Sequence, residues 1–152
     1  MASTLCLPRV SFGLYNAAMI TPLFLLSDWA LLVLRVVFGL VFIVHGWPKI
    51  RDLKANAAGF EAMGFKPGMF WGTIVAVLEF VGGLLIVAGL LTQVVALLLA
   101  VQMAVAILKV NLKRGFVGGY EFDLLLLAAG LLLAAVGGGD RSLDAFIGLV
   151  IY

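Results

Sequence analysis

Three polar side chains interrupt otherwise apolar runs of this chain: Arg35, Glu79 and Gln102. An ionisable group near the centre of a bilayer costs about 2.5–3.5 kcal/mol on insertion scales, so it usually faces a bundle interior and a partner. A second tier lies nearer the ends of the runs: His45, Trp47 and Lys49, then Lys109 and Asn111, then Glu121 and Asp123. As a set they carry recognisable chemistry. Arg35 and Lys109 can polarise a carbonyl, while His45 or Glu121 can exchange protons with water. Trp47 and Phe42 can line a slot for a flat ring. The candidate catalytic residues are therefore His45 and Glu121. The candidate ligand-binding residues are Arg35, Glu79, Gln102, Lys109 and Trp47. Each also has a structural reading. Arg35 and Glu79 form an ion pair that fixes packing, and Gln102 makes an interhelical hydrogen bond. His45 and Trp47 serve as interfacial anchors, and Lys109 as a topology determinant.

The elements that must position these groups follow from composition. The 152 residues are 64% hydrophobic and 12% charged, against about 25% charged in soluble domains. So short a chain cannot bury that much apolar surface away from water. Lipid is then the solvent for much of it. A crossing helix needs about 20 mostly apolar residues. Four stretches qualify or nearly so: 29–47, 70–91, 92–110 and a run from Tyr120 or Phe122 to Val136. The expected fold is an all-α, four-helix transmembrane bundle. Spans two and three are joined almost directly at Leu91-Thr92-Gln93, which predicts a tight antiparallel hairpin. Gly137, Gly138 and Gly139 either continue the last span or end it.

Four crossings put both termini on one side, side A, and the first and third loops on side B. Side B carries seven basic residues: Lys49, Arg51, Lys54, Lys66, Lys109, Lys113 and Arg114. Side A carries only Arg9 and Arg141. The positive-inside rule then sets side B in the cytoplasm and both termini outside. Residues 1–28 read as an N-terminal interfacial segment, within which Met19 offers an alternative start. Residues 140–152 read as a short interfacial amphipathic tail. There Ser142-Leu143-Asp144 gives a helix start and Leu143, Phe146, Ile147 and Val150 an apolar stripe.

Helix rise of about 1.5 Å per residue puts Arg35 roughly 18 Å and Glu79 roughly 14 Å from side B, and Gln102 roughly 15 Å from side A. All three fall near the midplane, and the expected pairing is Arg35 with Glu79. Phase supports a shared interior. Arg35, Gly39, Phe42, Gly46 and Lys49 fall on one stripe of span one, and Gln102, Ala106 and Lys109 on one stripe of span three. Glu79 shares its face with Gly72 and Gly83, where small residues allow close helix approach. The polar groups thus converge on a pocket open toward side B.

Several function classes are excluded. One cysteine, Cys6, rules out an intrachain disulfide, a CxxC pair and a cysteine-held iron–sulfur cluster. One histidine, His45, rules out a bis-histidine haem within one chain. No metal site is evident, and a net charge of +2 is too small for a nucleic-acid surface.

The ordered patterns Leu34-Arg35-Val36, Phe38-Gly39-Leu40, His45-Gly46-Trp47-Pro48-Lys49, Gly59-Phe60 with Met63-Gly64, Glu79-Phe80-Val81-Gly82-Gly83, Gly89-Leu90-Leu91-Thr92, Gly118-Gly119-Tyr120-Glu121-Phe122 and Asp140-Arg141-Ser142-Leu143-Asp144 resemble the DoxX family. The resemblance covers roughly Trp29–Gly148. It implies a bacterial or archaeal inner-membrane protein of four helices. Some members of that family are the membrane subunit of a thiosulfate:quinone oxidoreductase. Others associate with thiol-stress enzymes or with maturation of redox enzymes, and distant eukaryotic relatives look like chaperones or cargo receptors. The expected function is a quinone-interacting membrane subunit of a sulfur or thiol-stress redox system, an oxidoreductase subunit if it is an enzyme. The cofactor implied is quinone. The alternative is a non-catalytic scaffold or assembly factor that docks a partner enzyme on its basic loops. A small transporter fits less well, because no broken-helix pair is visible. Expected surroundings are the lipid bilayer, a partner protein on the cytoplasmic or outer face, and a homo-oligomer as an open arrangement.

Overall fold

The structure, a computed structural model, describes residues 17–149. Helix α1 spans Ala17–Arg51, α2 Leu53–Ala62, α3 Gly68–Ala88, α4 Thr92–Ala106, α5 Glu121–Val136 and the one-turn α6 Leu143–Phe146. A wider π-helical turn, Ile107–Asn111, extends α4. Four segments are long and apolar enough to cross a membrane: Leu26–Arg51, Gly68–Ala88, Thr92–Arg114 and Phe116–Val136. Among the described residues the fold is helical throughout, as the periodicity predicts. The apolar patch Ala17–Leu26 is the start of α1, which continues through Thr21-Pro22 without a break. Residues 1–16 and the last three, including Val150 of the predicted stripe, lie outside the described residues.

The helices pack as two antiparallel pairs, α1 with α3 and α4 with α5. Glycine stripes make the first pair close. A Cβ added to Gly39 would lie 2.7 Å from the Gly83 carbonyl oxygen, and one added to Gly46 would lie 2.6 Å from the Phe80 amide nitrogen. The stripe predicted on span one is therefore the α1–α3 seam. Opposite it, Val33, Val37, Leu40 and Val44 stand exposed at helical spacing, which is the face lipid requires. In the second pair Gly130 nests against Ala96 and Ala100. The two pairs meet around Phe38, Phe42, Ile86, Leu99 and Leu133, all buried. The rings of Phe38 and Phe42 pack edge-on at 4.9 Å.

At side A the pairs are tied together. The hairpin between α3 and α4 turns through Gly89 at φ +75° and Leu91 at φ +53°. That leaves the first amides of α4 without a local side-chain cap. In lipid such N–H groups must be satisfied internally. Asp144 does this from 52 residues away: its carboxylate accepts from the Leu91 amide at 2.7 Å and the Thr92 amide at 2.8 Å. Its own amide donates to the Gly89 carbonyl at 2.8 Å. The tail is thus a plug on the hairpin as well as a surface segment. Ser142 caps α6 as predicted, accepting from the Ala145 amide at 3.1 Å. Phe146 and Ile147 remain exposed. Gly137, at φ +84°, ends α5.

Candidate functional site

At side B the helix pairs splay apart. Helix α2 lies across the opening, with Ala57 buried against Gly68 and Gly72. Asn56 Nδ2 donates to the Gly72 carbonyl at 2.7 Å, fastening α2 to α3. The resulting cleft is a cavity of about 880 Å³. All five long elements line it: Phe42, His45 and Lys49 from α1, Asn56 and Phe60 from α2, Trp71 and Glu79 from α3, Gln102 and Asn111 from the fourth, Phe122 and Asp123 from α5. The other lining residues are apolar. Such a cavity, mostly apolar with a few convergent polar groups, is what small-molecule sites look like.

The polar end is built around Glu79, which is 3% exposed. Its Oε1 accepts from Lys49 Nζ at 2.6 Å and from Gln102 Nε2 at 2.5 Å. Three spans therefore supply one charged cluster. Glu79 Oε2 and Gln102 Oε1 are buried without a partner. Nearer the opening, Asn111 Nδ2 donates to Asp123 Oδ2 at 2.6 Å, and Asn111 Oδ1 is likewise buried and unpartnered. The His45 ring lies 6.2 Å from that of Phe122, between α1 and α5. Beyond this pair is a shallower groove of about 310 Å³, lined by Val37, Leu40, Val41, Val44, His45 and Phe122. The groove shares Val41, His45 and Phe122 with the cavity. It lies on the exposed side of α1 and α5, with these three residues between it and the cavity.

The expected pairing of Arg35 with Glu79 is corrected. Among the described residues, Glu79 is paired with Lys49. Arg35 is also buried, but at side A. It donates from Nη1 to the Gly138 carbonyl at 3.1 Å and from Nη2 to the Arg141 carbonyl at 3.0 Å. Asp144 supplies the opposing charge. The depth estimate failed because it took Trp47 and Phe70 as one boundary. In the fold, Gly46 is level with Glu79, while Arg35 meets Gly89. Ten residues separate Glu79 from Gly89, about 15 Å of helix. The step between the ends of α1 and α3 is filled by α2.

Three further residues fall outside the cavity. Trp47 is half exposed, stacked beside Phe80 at 5.4 Å with Arg51 over its ring, because it lies about 140° around α1 from Phe42. Lys109 is exposed. The π turn, with its i→i+5 bonding, shifts the helical phase so that Val110 and Asn111 reach the cavity instead. Glu121 is exposed and accepts from the Gly118 amide at 2.9 Å, capping the bend before α5. Asp123, two residues on, faces inward. His45, Glu79 and Gln102 are the predicted site residues that line the cavity. Trp71, Asn56 and the whole of α2 were missed. Only the Gly72 stripe carried a signal for them.

Comparisons with known proteins agree with this architecture. Residues 30–112 match the model of the DoxX family. The chain is 37% identical over 116 residues to "Putative oxidoreductase CatD" of Bacillus subtilis, covering 76% of this chain and 85% of that protein. It is 35% identical over 125 residues to "Inner membrane protein YqjF" of Escherichia coli, covering 80% and 95%. It is 33% identical over 125 residues to "Uncharacterized membrane protein Rv3486" of Mycobacterium tuberculosis, covering 73% and 77%. No solved structure matches the chain significantly.

Proposed function

The chain belongs to the DoxX family of multi-pass membrane proteins, and from that premise we propose that it binds a lipid-soluble quinone in the side B cavity as the membrane subunit of a redox system. The observation that carries this is the buried Lys49–Glu79–Gln102 cluster at the end of an apolar cavity, with a groove beside it on the exposed side of α1 and α5. A quinone has a flat polar ring and a long apolar tail. The ring suits the cavity, where Phe42 and Trp71 offer aromatic surface and the cluster offers charge. The tail suits the groove between α1 and α5, past His45 and Phe122. His45 and Asp123 sit where protons can pass between the cavity and water on side B. The bound quinone would supply the redox chemistry; the chain's own groups bind, orient and hold protons. The putative oxidoreductase name of the Bacillus relative points the same way. Electrons come from a partner, for which the exposed basic residues of side B, Arg51, Lys54, Lys66, Lys113 and Arg114, are the docking surface.

The test is saturable binding of a short-chain ubiquinone couple, in both redox forms, to purified protein in liposomes. The expected result is one site per chain whose affinity falls at least tenfold in Glu79→Gln. Val44→Trp, at an exposed groove position, should weaken long-tailed more than tail-less ligands. Absence of saturable binding by either form would overturn the proposal.

A further inference from the structure

We infer that the cavity is built for the reduced form of its ligand, a ring carrying hydroxyl groups. The inference rests on reading the cavity as a quinone site. The buried, unpartnered polar atoms of the cavity are all acceptors: Glu79 Oε2, Gln102 Oε1 and Asn111 Oδ1. The two amides cannot turn over to present donors instead. Gln102 Nε2 and Asn111 Nδ2 each donate to a carboxylate, at 2.5 and 2.6 Å, and a turned amide would set oxygen against oxygen. Donors line the cavity too, but among the described residues none of them is buried without a partner, and His45 and Trp71 are exposed side chains. Asn56 Nδ2 is held by the Gly72 carbonyl. Lys49 gives one hydrogen to Glu79, and 31% of its side chain is exposed, so water can satisfy the others.

An oxidised ring brings two carbonyl oxygens, which are acceptors only. It would meet acceptors and leave the buried Glu79 Oε2 and Gln102 Oε1 unpaired, a costly arrangement. A reduced ring brings two O–H donors. Glu79 Oε2 and Gln102 Oε1 stand at the cluster to receive one of them, and a bond to the carboxylate is charge-assisted and strong. No electron transfer is required for this preference; it is a property of binding alone.

A site that favours the reduced form raises the midpoint potential of the bound couple. The experiment is a redox titration of short-chain ubiquinone bound to the full chain in liposomes, against the same quinone in protein-free liposomes. The reduced form should bind at least tenfold tighter, an upward shift of at least about 30 mV for a two-electron couple. The shift should shrink in Gln102→Leu, which removes one acceptor. Binding of both forms with equal affinity, or tighter binding of the oxidised form, overturns the inference and leaves the quinone site standing. A full shift retained in a folded Gln102→Leu also overturns it. No binding of either form overturns the reading beneath it. Where Gln102→Leu does not fold, the unmodified chain decides alone.

Discussion

A carboxylate that is 3% exposed in a lipid-facing bundle, as Glu79 is, stays charged only if neighbours replace its lost water. Lys49 and Gln102 do so on one oxygen and leave the other free. Removing Lys49 strands the charge. Lys49→Met should lower stability by about 2–3 kcal/mol, less than for a fully buried pair because the lysine is partly solvated. Glu79→Gln should cost less, and the double variant should recover part of the loss. Unfolding in detergent of the four members of this double-mutant cycle measures the coupling; strictly additive losses would deny the pair. Lys109→Ala should change neither stability nor ligand affinity, since its side chain is exposed and the π turn carries it off the cavity face. That Arg35 and Glu79 are buried was legible from hydropathy; the burial of Asp144 and the exposure of Lys109 were not. Which buried groups meet was not legible either, because the partner choice turns on a step between helix ends that no single helix displays.

At the scale of elements, the tail and the α3–α4 hairpin act as one unit. Asp144 caps α4, and Arg35 holds the turn at Gly138 and Arg141. Arg141 in turn lies over Trp29 at 3.8 Å, fastening the tail to α1. A lost helix cap costs about 1–2 kcal/mol. Asp144→Ala should lose at least that and should raise hydrogen exchange at Leu91 and Thr92. Arg35→Met should free the same segment, so the two losses should be less than additive. Neither should change ligand affinity, since the cluster is about 15 Å away. A fall in affinity in either variant, with folding intact, would reconnect Arg35 to the site. The Ser142 helix start and the tight hairpin were legible as local signals. The long-range cap was not, since residues 52 apart leave no periodic trace. The π turn was also hidden, because phase arguments assume an unbroken α-helix.

For the whole molecule, hydropathy and glycine stripes carried most of the architecture: four crossings, close α1–α3 packing and a polar interior widening toward side B. Helix α2 escaped notice because it is short and crosses nothing, yet it closes the cavity. The charge asymmetry predicts side B in the cytoplasm. With Cys6 replaced by serine, a cysteine at Lys113 should be protected from a membrane-impermeant thiol reagent in intact cells, while one at Asp140 should react. The reverse pattern would invert the topology and place the cavity mouth outside.

The central claim is that the ligand head sits at the Glu79 cluster and not at Arg35. Photo-crosslinking of a diazirine-bearing quinone to the protein in liposomes, mapped by peptide mass spectrometry, tests it most directly. Adducts should fall on cavity residues such as Phe42, Trp71 and Met103 and be competed away by unlabelled quinone. Competed adducts confined to residues 138–144, beside Arg35, would contradict it.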